Sequence, residues 1–191
     1  MRFISLLSYI FMVMFMSLSA QAQTQHLTGL EIEELFQKTE KLYTKAALDV
    51  DEIIRLTKLH TVEGAVFKRE MKSNKGERII TIMRTREEAL ADIKAKSGRL
   101  FDVSLRRTIT DIKYTEDKIS ATVEYTALFI SMAKLSEESK KQPEYAGMDV
   151  LPIKSLSTCS EKFKLIDEVL KSLGADCKTE VIYGKARKTN N

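Results

Sequence analysis

The sequence has few of the residues that build metal sites. It contains two histidines and two cysteines among 191 residues. His26 and His60 lie far apart in the chain and do not form a compact set of three ligands, so we expect neither a metal ion nor a cofactor. Neither cysteine has a histidine placed beside it, which argues against a nucleophilic cysteine enzyme.

The chain also lacks a strong charge of either sign. It has 31 Lys and Arg residues against 27 Asp and Glu residues, a formal net charge of +4 at pH 7. Both signs are spread along the chain, and no concentrated basic stripe is present that could neutralise many phosphates. Nucleic acid is therefore not an expected partner. After the N-terminus, no apolar run approaches the roughly 20 residues that a membrane-spanning helix requires.

The one long apolar run lies at the N-terminus. Arg2 precedes an apolar run from Phe3 to Leu18, and Ala20 and Ala22 occupy the small-residue positions of a cleavage site. This three-part plan predicts a secretory signal peptide over residues 1–22 and an exported protein, either periplasmic or secreted. The alternative is an uncleaved anchor helix, and only in that case would the protein contact a membrane.

Capping signals predict three helices in the rest of the chain. In a capping box, a Ser or Thr hydroxyl and a Glu carboxylate three residues later each bind a free helix-end amide. Apolar residues at spacings of three and four follow these signals, so each helix needs a partner to cover its apolar face. The helices are predicted over residues 29–47 after a Thr28–Glu31 box, over a shorter stretch with Ile53, Ile54 and Leu56 after Asp49 or Asp51, and from a Thr85–Glu88 box to about Gly98.

Alternation with a period of two predicts strands that form hairpins. Val, Ile, Thr and aromatic residues alternate with polar ones, as in strands with one buried face. We expect a flexible leader at residues 23–27, one domain at 28–184 with a polar loop at 136–149, and a polar tail at 185–191. The predicted strands are Ala65–Met71, Ile79–Met83, 101–113 and 118–135, with two more between Ser155 and Tyr183.

The last hairpin predicts a disulfide. Its strand pattern is symmetric about Glu168, which predicts a tight turn there. The opposed pairs are then Cys159–Cys177, Phe163–Leu173 and Ser155–Val181. Directly opposed residues hold their Cβ atoms about 4.5 to 5.5 Å apart, a distance that modest adjustment can bridge. An exported chain with a single cysteine pair meets an oxidising compartment, so we expect the two cysteines to be bonded.

The order of the elements resembles that of a known superfamily. A helix, a short helix, a hairpin, a capped helix and then long antiparallel strands follow one another in the nuclear-transport-factor-two-like superfamily, which includes ketosteroid isomerases and SnoaL-like cyclases. The segments that carry the resemblance, within residues 28–184, are ELFQKTEKLYTKAALDVDEIIRL, RTREEALADIKAK, TITDIKYTEDKISATVEYTAL and CSEKFKLIDEVLKSLGADCKTEVIY. The resemblance implies an α+β fold with N-terminal helices packed on a strongly curved, mainly antiparallel, cone-like sheet. In some members the concave face holds a small apolar ligand, and in others only core side chains.

Strand alternation places a set of polar and aromatic side chains on one face of the last strands. If that face lines the pocket, these residues contact the ligand, because pockets combine an apolar wall with a few polar groups. If a bulge shifts the alternation, the same residues lie in solvent. The pocket candidates are Tyr125, Phe129, Ser155, Ser157, Glu161 and Thr179.

Glu161 and Tyr125 are the candidates for proton transfer. A carboxyl group that is kept partly dry has a raised pKa and can exchange a proton with a ligand. Isomerase members of the superfamily use an aspartate base and a tyrosine in the pocket; Tyr125 lies at a suitable inward position, but no aspartate does. The commoner arrangement is that Glu161 pairs with a lysine on an exposed strand face. Of Arg106 and Arg107, alternation allows at most one to point inward.

Three functions remain open on this basis. The first is an exported binding or assembly module that holds a small apolar ligand or a protein partner, such as a second copy of the chain in a homodimer, and performs no chemistry. The second is an enzyme of isomerase or cyclase type that uses Glu161 and Tyr125. In the third, residues 3–20 are not removed and anchor the protein to the membrane, and the protein is a periplasmic assembly domain of a secretion system. We favour the first, in which no residue is catalytic, because no complete catalytic set can be assigned.

Overall fold

The structure places helices before and between the strands of one mixed sheet. It is a computed structural model that describes residues 26–44 and 48–189, with the backbone alone for Lys96 and Ser97. In chain order the elements are α1 (Gly29–Tyr43), α2 (Val50–Leu59), β1 (Thr61–Ser73), β2 (Gly76–Thr85), α3 (Arg86–Lys96), β3 (Leu100–Tyr114), β4 (Ser120–Lys134), the short helix α4 (Glu137–Lys140), β5 (Val150–Ile166) and β6 (Val169–Tyr183).

Some of the predicted segments lie outside the described residues. These are the signal peptide at 1–22, the leader up to residue 25, and residues 45–47 at the end of the first predicted helix. Between residues 26 and 189, leaving out 45–47, no helix is long and apolar enough to cross a membrane.

The six strands form one sheet in the order β2-β1-β6-β5-β4-β3. The pairing of β1 with β6 is parallel, and every other neighbouring pair is antiparallel. The predicted α+β class, with helices on a curved and mainly antiparallel sheet, is confirmed. Because β1 lies beside β6, the first hairpin extends the sheet that the last four strands build.

The helices begin where their capping signals predict. The backbone N–H of Thr28 donates to the Glu31 carboxylate at 2.7 Å, which closes the first capping box. Asp49 caps α2, since its side chain accepts from the N–H of Glu52 at 3.1 Å. The second box is also present, with the N–H of Thr85 donating to Glu88 at 2.8 Å. These bonds satisfy amides that a helix end otherwise leaves unpaired.

The last hairpin confirms most of the predicted register and corrects part of it. Cys159 pairs with Cys177 and Ser155 with Val181, as predicted. The predicted pairing of Phe163 with Leu173 is wrong, because Phe163 pairs with Ser172 across a shift in register. Leu173 is therefore turned outward and is 37% exposed. The turn itself uses two residues with positive φ, Asp167 at 51° and Glu168 at 63°, as a two-residue hairpin turn requires.

Gly174 explains why the register shifts at this point. Its φ is 133°, a conformation that residues with a side chain rarely adopt. A Cβ atom at this position would also collide with the backbone carbonyl of Val66 in β1. The glycine therefore permits both a bulge in β6 and the close approach of β1. Beyond the bulge, Ser172 rather than Leu173 points to the buried face of the sheet.

The helix-covered side of the sheet holds the main core, and we call it the concave face. Phe36 of α1 packs edge-on against Tyr125 of β4, with ring centroids 4.9 Å apart, and lies 6.1 Å from the ring of Phe163 in β5. The Cys159–Cys177 disulfide is part of the same cluster and joins β5 to β6, with Cα atoms 4.2 Å apart. The predicted disulfide is thus confirmed. Full burial of a side chain such as Phe163 contributes about 1.5–3 kcal/mol.

Contacts extend to both ends of the described chain. Leu27, the last residue of the predicted leader, is buried, and its N–H donates to the carbonyl of Lys118 at 2.7 Å. In the predicted tail, the N–H of Arg187 donates to the carbonyl of Val150 at 2.9 Å. Within the described residues, packing contacts are therefore present one residue before the predicted domain and beyond residue 184.

Candidate functional site

A cavity lies between α1, α2 and the concave face of the sheet. Its volume is about 160 Å³. Its apolar wall consists of Leu35, Phe36, Leu42, Ile53, Leu56, Phe67 and Phe163. Its polar lining consists of Thr39, Thr57, His60, Thr61, Arg107, Glu161 and Ser172. An apolar wall with a few polar groups is the usual construction of a small-molecule site.

Glu161 brings a carboxyl group to the cavity wall from the middle of β5. It is 8% exposed, and Tyr125 donates its phenolic proton to Oε2 at 2.8 Å. Ser172, which the bulge turns inward, also forms a hydrogen bond to this carboxyl. We call Glu161, Tyr125 and Ser172 the Glu161 cluster. The alternative in which Glu161 pairs with a lysine on an exposed strand face is wrong.

Burial decides the protonation of this cluster. It raises the pKa of Glu161 above its ordinary value, while the hydrogen bonds from Ser172 and Tyr125 and the charge of Arg107 offset part of that rise. Burial and the neighbouring Glu161 raise the pKa of Tyr125 well above its usual value, so Tyr125 remains a donor. The carboxyl can therefore hold a proton at a pH where an exposed glutamate is ionised.

His60 immediately precedes β1 and also lines the cavity. Its Nδ1 is 2.8 Å from the carbonyl oxygen of Leu170. A carbonyl only accepts, so Nδ1 carries the proton in this contact. Burial lowers the pKa of His60, although the bond to Leu170 opposes this. At neutral pH the ring is therefore in its neutral form, in which Nε2 is an acceptor.

Arg107 supplies the cationic group of the cavity wall. Its guanidinium carbon lies 4.0 Å from the centre of the Phe36 ring, and one terminal nitrogen donates to the Phe36 carbonyl at 2.9 Å. The Arg107 backbone N–H donates to Glu40 of α1 at 2.6 Å, and the side-chain Nε lies 3.6 Å from the same carboxylate oxygen. Within the described ranges, Nε is buried and has no hydrogen-bond partner.

The other candidates from the sequence lie farther along the concave face. Ser157 and Thr179 are buried and their hydroxyl groups hydrogen-bond to each other at 2.9 Å, and we call them the Ser157–Thr179 pair. Phe129 and Ser155 pair with one another across β4 and β5 and are half-buried. Of the six candidates, Glu161 is the one that lines the cavity between the helices and the sheet.

Sequence reasoning missed Glu40, His60 and Ser172 as partners of the site. Their positions depend on how α1 and α2 pack on the sheet and on the bulge in β6, and alternation describes neither. One usable signal was present, since a glycine inside a predicted strand often marks a bulge. The expectation that at most one of Arg106 and Arg107 points inward agrees with the structure, in which Arg107 lines the cavity and Arg106 is exposed.

No family model matches the chain, and none of the curated proteins matches it in sequence. Solved structures do resemble it. A candidate scytalone dehydratase from Novosphingobium aromaticivorans is 13% identical, and the match covers 85% of this chain and 93% of that protein with a TM-score of 0.52. The chain therefore has the nuclear-transport-factor-two-like cone fold, as its order of elements predicts.

Two further structures are similar over most of their length but with lower scores. A nuclear-transport-factor-two-like protein of unknown function from Shewanella oneidensis is 15% identical, with 78% of this chain and 96% of that protein covered and a TM-score of 0.44. A type 2 hexachlorocyclohexane dehydrochlorinase is 10% identical, with 85% and 88% covered and a TM-score of 0.46.

Proposed function

We propose that the protein is a binding module that holds a small, mostly apolar molecule in the cavity between α1, α2 and the sheet. The observation that carries the proposal is the composition of the cavity wall, in which apolar side chains from both helices and from the sheet surround one buried carboxyl group. The apolar wall supplies affinity, and the few polar groups orient the ligand. An engineered cavity of about 150 Å³ in another protein holds benzene, so a ligand of that scale fits.

A substitution that fills the cavity tests this function. Thr57 lines the cavity from α2, whereas Leu59 on the same helix is 40% exposed. We expect benzyl alcohol to shift the amide NMR signals of residues around the cavity in the unaltered protein and in the control Leu59→Phe. Thr57→Phe should abolish these shifts because the new ring occupies the cavity. Equal shifts in both variants would contradict the proposal.

A second candidate function is an isomerase-type enzyme that uses Glu161 for proton transfer. The observation in its favour is that Glu161 lines the cavity with a raised pKa and with Tyr125 holding Oε2 at 2.8 Å. A base of this kind removes a proton next to a carbonyl group most effectively when its pKa lies near the working pH. Tyr125 does not line the cavity and would act as a positioning residue.

Hydrogen exchange separates the two candidates. An enzyme of this type would exchange the hydrogens beside the carbonyl of a small ketone such as cyclohexanone with D₂O, and Glu161→Gln would abolish that exchange. For a binding module, we expect no exchange above the rate seen with the heat-denatured protein. Mass spectrometry of the recovered ketone measures the difference.

We also propose that the protein is exported. The signal-peptide pattern at residues 1–22 and the Cys159–Cys177 disulfide support this, because structural disulfides are typical of oxidising compartments. Mass spectrometry of the protein recovered outside the cytoplasm should find Gln23 at its N-terminus. Membrane-bound protein that retains residues 1–22 would favour an anchored assembly domain instead.

A further inference from the structure

We propose that the ligand of the cavity is a small monocarboxylic acid, whose carboxylate accepts the Nε–H of Arg107 beside the carboxyl group of Glu161. This inference rests on the proposed binding function and adds the chemical class of the ligand. It is carried by the hydrogen bonds of the cavity wall and by the charges that surround it.

The first argument is the buried Nε–H of Arg107, which lies 3.6 Å from a Glu40 oxygen but forms no hydrogen bond with it. An arginine has five N–H donors and no acceptor, so only an acceptor group can satisfy it. One terminal nitrogen donates to the carbonyl of Phe36, and among the described residues Nε has no hydrogen-bond partner although it is buried. The Nε–H and terminal N–H groups of arginine form a planar fork that matches the two oxygens of a carboxylate.

The second argument is the balance of charge around the cavity. Arg107 faces it from β3, and Arg69 of β1 is close enough to affect both Tyr43 and Tyr125. Glu40 of α1 balances one of these two cations. His60 is held neutral, and Lys38, Arg55 and Lys171 add positive potential at its ring. Arg69 is exposed and does not line the cavity. While Glu161 keeps its proton, Arg107 is therefore the one charged side chain among the described residues that line the cavity, and its guanidinium can pair with an anion as well as with Glu40.

The third argument limits the ligand to a single carboxylate. Thr39 donates its hydroxyl proton to the carbonyl of Leu35, and Thr57 donates to that of Ile53, each at 2.8 Å. Both hydroxyl groups can therefore present only lone pairs to the cavity, as does Nε2 of His60. These acceptors would repel a second anionic group. The rest of the wall is largely apolar, so the body of the ligand is apolar as well.

The proximity of two carboxyl groups predicts how binding depends on pH. A bound carboxylate disfavours the ionised form of Glu161, as in other carboxyl pairs that share a proton. The groups around Glu161 are Tyr125, Ser172 and Arg107, and His60 also lines the cavity. Binding is therefore strongest where the ligand is ionised and Glu161 is protonated, and affinity falls as the pH rises through the raised pKa of Glu161.

Calorimetry with benzoate and its neutral analogue benzyl alcohol tests the proposal. We expect the unaltered protein to bind benzoate at least tenfold more tightly than benzyl alcohol at pH 5.5, with a smaller preference at pH 8. Arg107→Lys keeps the charge but loses the planar guanidinium fork, so the preference for benzoate should fall to about threefold or less. Arg106→Lys, on the exposed face of the same strand, is the matched control and should retain the preference.

A second variant keeps the test informative if Arg107→Lys does not fold. Glu161→Gln cannot ionise but retains an acceptor for Tyr125, so benzoate should bind it with an affinity that no longer depends on pH. Equal binding of benzyl alcohol and benzoate by the unaltered protein would overturn the carboxylate inference and leave the binding function intact. Failure of both compounds to bind would overturn the binding function and this inference together.

Discussion

The Glu161 cluster and the Ser157–Thr179 pair lie on the same face of β5 and β6 but are built differently. Ser157 and Thr179 are direct partners in a regular antiparallel ladder. Ser172 reaches Glu161 only because the strand bulges at Leu173 and Gly174. The disulfide between Cys159 and Cys177 lies between the two groups along both strands.

The difference shows how one sheet face can hold both a structural and a functional polar group. In the Ser157–Thr179 pair one buried hydroxyl donates to the other, and neither residue lines the cavity. In the Glu161 cluster the carboxyl accepts from Tyr125 and bonds to Ser172, and it also lines the cavity, so a ligand can contact it. A buried polar group of this kind gains free energy from such a partner.

The largest effect is expected from removing the bulge. Gly174→Ala places a Cβ against the Val66 carbonyl at a φ of 133°, so both steric overlap and backbone strain oppose folding. We expect the free energy of unfolding to fall by about 2–4 kcal/mol. Gly76→Ala is the control, because no atom lies within 4 Å of its added Cβ. Urea denaturation measures both, and equal stability of the two variants would show that the bulge does not depend on Gly174.

The next effect concerns the pH dependence of stability. The folded state raises the pKa of Glu161, so between the unfolded value near 4.3 and the raised value the folded protein binds the extra proton. Stability therefore falls as the pH rises through this window, by about 1.4 kcal/mol for each pH unit between the two pKa values. Glu161→Gln should lack this decline, and Glu180→Gln on an exposed position should retain it. Parallel urea titrations from pH 4 to pH 8 provide the measurement.

The smallest effect is expected at the Ser157–Thr179 pair. Ser157→Ala alone leaves the buried hydroxyl of Thr179 unpaired and should lower the free energy of unfolding by about 1 kcal/mol. The double variant with Thr179→Val should lose less than the sum of the two single variants, since neither hydroxyl is then left unpaired. Binding of benzyl alcohol should be unchanged in all three. A loss of binding here would mean that this pair also belongs to the ligand site.

The same comparison explains what could be predicted from the sequence. Regular alternation predicted the buried positions of Tyr125, Ser157 and Glu161 and the pairing of the two cysteines. It failed at Leu173, because a single extra residue reverses which side chains face the core. Capping boxes located the helix starts, since they depend on residues three positions apart.

The cavity itself could not be predicted in this way. Arg107 meets Phe36 and Glu40 only after α1 packs on β3, and these residues are far apart in the sequence. His60 contacts Leu170 across a sequence separation of 110 residues. Such contacts follow from tertiary packing rather than from local periodicity, so Glu161 and Tyr125 were identified as candidates while Glu40, His60 and Ser172 were not.

The parallel pairing of β1 with β6 has a consequence for how the chain folds. Ser73 of the first strand lies beside Val181 near the end of the last one, so this contact cannot form until almost the whole chain has been synthesised. The contiguous hairpins can close early because their loops are short, whereas joining distant strands must overcome a larger loss of chain entropy. Until then, one edge of β1 presents unpaired amide and carbonyl groups. During that time this edge can pair with a strand of another chain or be bound by a chaperone.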